Sequence, residues 1–211
     1  MTFTGFTQQD FDVFHIEGLD ERMAALIKLI RPKLEELGTR LQKPLSELVG
    51  EEMFPHVAKH ARRTVNPPND TWVAWANNKR GYKQHPHFQV GMWESHLFVW
   101  FALIYECPTK QDFAKVALKE AATIYKQIPD SFVWSIDHMR PEAIPQSELK
   151  QKDVKEMLIR LRDVKKAELL CGIHIDRHDP ILTDGAALED KILDTFEQLS
   201  ALYKLSLRVR V

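Results

Sequence analysis

Residues 71 to 105 hold four of the five tryptophans and three of the nine histidines of a 211-residue chain, and Lys79, Arg80, Tyr82 and Lys83 surround Gly81 among them. Arginine can grip phosphate or carboxylate oxygens through paired hydrogen bonds, glycine lets backbone donors come close, and tyrosine or tryptophan can stack on a planar ring. The chemistry on offer is recognition of an anion, with aromatic rings beside it. Arg62 and Arg63 lie just upstream of the same stretch, and His87, Gln89 and Trp93 recur at even steps. Strand side chains alternate, so those three share one face. The candidate ligand-binding set is therefore Arg62, Arg63, Lys79, Arg80, Tyr82, Lys83, His87, Gln89 and Trp93. The plainer alternative is a solvated Lys-Arg-Gly-Tyr-Lys turn above tryptophans that belong to the core.

Other reactive residues form weaker patterns. His56 and His60 stand four apart, as two zinc ligands on one helix face would, but Val57 occupies the place where a zinc protease needs its glutamate. His85 with His87, and His174, Asp176, His178 and Asp179, have spacings that could contribute to a metal site. With nine histidines present such spacings arise by chance, and no metal site is assigned. Glu94 with His96, and Asp137, His138 and Arg140, sit at strand ends, where an acid-base pair could be held. There is no G-x-S-x-G elbow, no Walker loop and no G-x-G-x-x-G. Cys107 and Cys171 lack CxxC spacing and read as small apolar filler. No cofactor is specified.

The elements that must position these residues follow from periodicity. Three strands are predicted over about 71–76, 87–93 and 97–105, joined by the basic glycine loop and a Glu94-Ser95-His96 turn. On the middle strand Phe88, Val90 and Met92 face the core, and Gly91 on the other face marks a close approach. Met23, Leu26, Ile27, Ile30, Leu34, Leu37 and Leu41 predict a helix with Asp20 as N-cap, kinked or split by Pro32 near Arg31. A second helix is expected over 44–62. After Cys107-Pro108, Thr109 to Asp112 resembles a capping box opening a helix to about Gln127. Strands are expected over 131–136 and 167–175, a loop over 139–147, and helices up to about Arg162 and from Ala186 to Lys204. Consecutive hairpins followed by strand-helix alternation predict an α+β fold. The expectation is one two-layer domain over residues 1–211, with a mostly antiparallel sheet of five or six strands packed with helices.

Twenty-nine basic against 30 acidic residues leave a net charge of −1, so no global field draws the chain to nucleic acid, and any polyanion binding must be local. The opening residues lack a basic segment followed by an apolar run, and no stretch is long and apolar enough for a membrane span, which predicts a cytoplasmic protein with no membrane partner.

Several stretches carry a resemblance: Asp10 to Phe14, Ile30 to Leu34, His60 to Trp72, Lys79 to Lys83, His87 to Gly91, Lys165 to Glu168, and Asp179-Pro180. On these the chain resembles the YktB-like group of conserved bacterial proteins, found mainly in Gram-positive species. The resemblance spans nearly the whole chain and implies a compact α/β-type domain, with no catalytic residues to carry over.

The leading expectation is a binding protein for an anionic ligand, a nucleotide, a phosphorylated metabolite or an RNA segment, on the basic-aromatic sheet face. The alternative is a hydrolase using His87, Glu94, His174 and Asp176, with or without a metal. A third reading is a structural or partner-binding protein. Oligomeric state is not specified by the sequence.

Overall fold

Apolar residues at three- and four-residue steps coil the first third of the chain. In the computed structural model, which describes residues 3–209, a short helix α1 (Gln8–Asp12) precedes α2 (Leu19–Ala25), a π turn (Leu26–Ile30) and α3 (Arg31–Val49). Met1, Thr2, Arg210 and Val211, which the expected 1–211 domain includes, lie outside the described residues. The π turn is where Pro32 makes itself felt. Proline has no N–H to donate and crowds the preceding turn, and the helix widens just before it, with Arg31 N–H reaching back to the Leu26 carbonyl. Gly18, not Asp20, is the N-cap residue, and Asp20 lies within the first turn, where its charge favours the positive end of the helix.

The helix expected over 44–62 does not form. Pro44 lies inside α3, which ends where Gly50 turns left-handed at φ 77°, and the chain then extends as β1 (Phe54–Val57). Pro55 is tolerated there because β1 is an edge strand. The three predicted strands follow as β2 (Asp70–Ala76), β3 (His87–Trp93) and β4 (His96–Leu103). Next come α4 (Lys110–Lys119) and α5 (Ala121–Gln127). The Thr109 capping box is absent; Asp112 pairs with Lys115 at 2.8 Å instead, and the helix breaks at Glu120. β5 (Val133–Ser135) is shorter than expected, and the 139–147 segment contains a brief strand, β6 (Ile144–Pro145). α6 (Gln151–Asp163), β7 (Leu169–Asp176) and α7 (Gly185–Leu207) complete the chain.

The strands form one seven-stranded sheet in the order β1-β2-β3-β4-β7-β5-β6, antiparallel at every pairing. The fold is thus α+β, with two more strands than the lower expectation. Helices cover one face. Val73, Trp75, Phe88, Val90, Val99, Phe101 and Ile173 meet Leu34, Leu41, Phe113, Leu158, Phe196 and Tyr203 in a single core. Trp75 donates to the Gly38 carbonyl of α3 at 3.0 Å, possible because Gly38 has no Cβ to hold the helix off Pro55 and Val73. The other face carries a second, smaller apolar cluster of Phe98, Trp100, Ala102, Ile104 and Leu170, with Trp72, Trp93 and Val133 against it. The 3-10 turn Tyr82–Gln84 and the loop around Asp137 to Arg140 border this side. Among the described residues no helix is long and apolar enough to cross a membrane.

Candidate functional site

The loop-bordered face is built on two glycines. A Cβ at Gly91 would stand 2.4 Å from the Phe98 ring, and one at Gly172 would stand 1.8 Å from the Val99 carbonyl oxygen and 2.9 Å from the Trp100 ring. Their absence of side chain lets the Phe98 and Trp100 rings lie close to the sheet, with centroids 6.2 Å apart and planes inclined by 29°. Trp72 on β2 and Trp93 on β3 complete an aromatic slot whose polar lining includes Asp70, Gln89 and Ser135. Asp70 is 8% exposed, and its carboxylate has no side-chain hydrogen-bond partner among the described residues. Burial raises its pKa from 3.8 to about 6, against the opposing pull of His138, Arg63 and Lys83. The slot is closed to about 10 Å³, space for one water, with the half-exposed Trp93 and the exposed Arg140 among its lining residues.

A second cavity of about 350 Å³ adjoins the segment Asp137 to Arg140, lined by Tyr105, Ile136, Arg160, Lys166 and Glu168 as well as that segment. The two cavities share Asp137, His138 and Arg140. His138 is held by Glu168, which immediately precedes β7. Its carboxylate accepts the His138 amide at 2.9 Å, His138 Nδ1 at 2.8 Å and the Tyr105 amide at 3.2 Å. Burial pushes the Glu168 carboxyl up, but the bonds from His138 outweigh it and hold the pKa below its ordinary value. Nδ1 is thereby fixed as the donor, and Nε2 has no partner among the described residues. Arg160 Nη1 is buried without an acceptor. Arg140, Arg160 and Lys166 outnumber the carboxylates of Asp137 and Glu168 in this cavity, although Arg140 stands 3.6 Å from Asp137.

Asp137, His138 and Glu168 each have a ligand atom within 4.8 Å of the others, so the donor set could close on a metal. Two of its members are already engaged with each other, however, and three cationic side chains line the same space. Coulomb repulsion in a partly buried site favours an anion there over a divalent cation.

The residues expected from the sequence are distributed around this arrangement. Gln89 and Trp93 line the aromatic slot. Tyr82 accepts from Trp72 Nε1 at 2.7 Å and lies edge-on to His87. Lys83 stands 6.0 Å over the Trp72 ring and 4.0 Å from Glu106. His87 is fully buried: Nδ1 donates to the His85 carbonyl at 2.7 Å and Nε2 accepts from Gln89 at 2.8 Å, while burial lowers its pKa to about 4. It supports Gln89 from below and cannot itself meet a ligand. Lys79 lies 5.2 Å over Phe54, Arg80 is exposed at the tip of its loop, and Arg62 and Arg63 lie on the turn after β1. None of these four lines either cavity. His56 and His60 share no helix face, since one is in β1 and the other follows it at φ 51°.

The expected hydrolase set does not converge either. Glu94 is taken by Arg177 at 2.5 Å and by His15 at 3.1 Å, and the exposed Asp176 accepts the His178 amide. His174 stacks on His96 at 3.8 Å, and burial depresses both pKa values, to about 3 and about 4. Of the acid-base groups at strand ends, the 137–140 segment is the one the fold brings to a cavity. Asp70, Trp72, Arg160, Lys166 and Glu168 were absent from the expected site. Trp72 and Asp70 could have been found by extending alternation along β2 to its partner Gln89 face; Glu168, 30 residues from His138, had no local signal.

Comparison with known proteins places the chain in context. The family DUF1054, described as a domain of unknown function, matches residues 6–203. A UPF0637 protein of Bacillus velezensis is 53% identical over 209 residues, covering 99% of this chain and 100% of that one. UPF0637 proteins of Bacillus licheniformis and Oceanobacillus iheyensis are 51% and 50% identical, with 100% and 98% of each chain covered.

Proposed function

The chain belongs to the DUF1054 family, the family of the YktB-like resemblance, and we propose that it binds a nucleotide-class ligand across the segment Asp137 to Arg140. The observation that carries this reading is the shared wall. An aromatic slot with hydrogen-bonding groups at its base adjoins a cavity carrying Arg140, Arg160 and Lys166. A planar ring gains about 1 to 3 kcal/mol per stacked base, and a phosphate gains charge-assisted hydrogen bonds from guanidinium groups. The ring enters as Trp93 and Arg140 swing aside, Asp70 and Gln89 meet its polar edge, and the phosphate takes the buried Arg160 Nη1 donor. Lys83 and Tyr82 hold Trp72 at the near side of the slot; Arg62, Arg63, Lys79 and Arg80 add positive potential at longer range. Such a ligand suits a cytoplasmic protein, where the buried free thiols of Cys107 and Cys171 stay reduced.

Titration calorimetry with nucleoside 5′-monophosphates, nucleosides and inorganic phosphate tests it. The nucleotides should bind more tightly than either fragment, Arg160→Gln should weaken nucleotide and phosphate alike, and Trp93→Leu should weaken nucleotide and nucleoside but not phosphate. Absence of binding by all four nucleoside monophosphates, or binding that Arg160→Gln leaves unchanged, sinks the proposal.

A further inference from the structure

We propose that His138 and Glu168 make this site hydrolytic, the substrate class being a cyclic phosphodiester of a nucleotide. The inference rests on the nucleotide reading above and adds turnover to it. His138 is the one imidazole that lines both cavities, so it stands between the slot that takes the ring and the cavity that takes the phosphate. Its orientation is not left to chance. Three hydrogen bonds onto one buried carboxylate, two of them from His138 itself, lock the ring and fix the proton on Nδ1, which leaves Nε2 as the basic nitrogen. Arg140, Arg160 and Lys166 stand where negative charge grows on a five-coordinate phosphorus, the arrangement that stabilises such a transition state. A cyclic diester carries a single negative charge and is compact, which favours it over a monoester for attack by water activated by a base.

The reaction balances without a co-reactant. Nε2 of His138 takes a proton from water as the water oxygen bonds to phosphorus. One ester P–O bond of the ring breaks, and the departing sugar oxygen takes a proton from the carboxyl of Asp70, which lines the slot beside His138. Proton exchange with solvent restores both groups, and the product is a nucleoside monophosphate. Asp70 is fitted to the acid role because its pKa of about 6 keeps a fraction of it protonated near neutrality. Glu168 acts through His138 and is a positioning residue.

The test follows 2′,3′-cyclic and 3′,5′-cyclic nucleoside monophosphates of the four bases by phosphorus NMR, using the full chain, with calorimetry on the same compounds. His138→Asn should retain cyclic-nucleotide binding and native circular dichroism while losing 10²- to 10⁴-fold in rate, the usual contribution of a general base. Glu168→Gln supplies a second variant: with the imidazole no longer held by two donors on one carboxylate, kcat should fall while KM for the cyclic nucleotide stays, and Glu168→Asp, which keeps a carboxylate, should restore part of the rate, which a purely structural role would not do. Binding of nucleotides without hydrolysis, or hydrolysis that His138→Asn leaves intact, overturns the catalytic inference and leaves the ligand reading standing. Failure of nucleoside 5′-monophosphates and cyclic forms alike to bind overturns both.

Discussion

Asp70→Asn should stabilise the protein at neutral pH, and its effect should vanish in acid. Asp70 is buried on the loop-bordered sheet face, and moving its carboxyl from 3.8 to about 6 costs the ionised folded form about 3 kcal/mol. The folded state holds this proton more tightly than the unfolded state, so the penalty is complete above the folded value and is relieved as pH falls toward 3.8. Worked through, it is about 3 kcal/mol at pH 8, roughly half of that at pH 5 and close to zero at pH 3.8. Asparagine has the size of the protonated acid and no charge, so it mimics the relieved state at every pH. Urea unfolding of both proteins between pH 4 and 8 measures the difference, in which all other titrating groups cancel. A difference that stays flat with pH, or a variant less stable at pH 8, would refute the assignment of Asp70 as a carboxylate buried without a side-chain partner. If the same variant also loses cyclic-nucleotide hydrolysis, stability and activity at Asp70 oppose each other, as expected of a functional group held in an unfavourable place.

The histidines act in the opposite sense. Burial lowers His60, His87 and His96 to about 4 and His174 to about 3, so their stabilisation is complete above about pH 6.5 and is lost as pH falls through the folded values. The whole protein should therefore unfold in acid, and His174→Phe should shift the acid midpoint measured by circular dichroism downward. Gly172→Ala should cost about 3 kcal/mol, because its Cβ meets backbone, the Val99 carbonyl; a urea midpoint within error of the parent would contradict the close strand approach. Glu168→Ala should cost about 3 to 5 kcal/mol by stranding the Tyr105 and His138 donors, and a loss under about 1 kcal/mol would show that water replaces the carboxylate.

The three strands around residues 71 to 103, the long helices and β7 were legible because each is a local matter. Alternation of period 2 and apolar steps of three and four report the face each side chain must take, and Gly91 inside a strand announced the ring that lies on it. The same alternation put Gln89 and Trp93 on the face that carries the aromatic slot. Competing local signals hid other elements. Pro44 and Pro55 sit inside a helix and a strand, where proline ordinarily breaks the pattern, so β1 read as helix; here Gly50 ends α3 and an edge position excuses Pro55. Sequence alone therefore determined the α+β composition, the two faces of the central strands and the family. Only tertiary structure decided the site. The sheet order sets β7 beside β4 and β5, which brings Glu168 to His138 and His138 to the slot lined by Asp70 of β2, separations of 30 and 68 residues that no periodicity records. It likewise sank His87 and carried Arg80 outward, because a strand face becomes interior or exposed according to which loop folds over it, and that is settled by packing between segments distant in the chain.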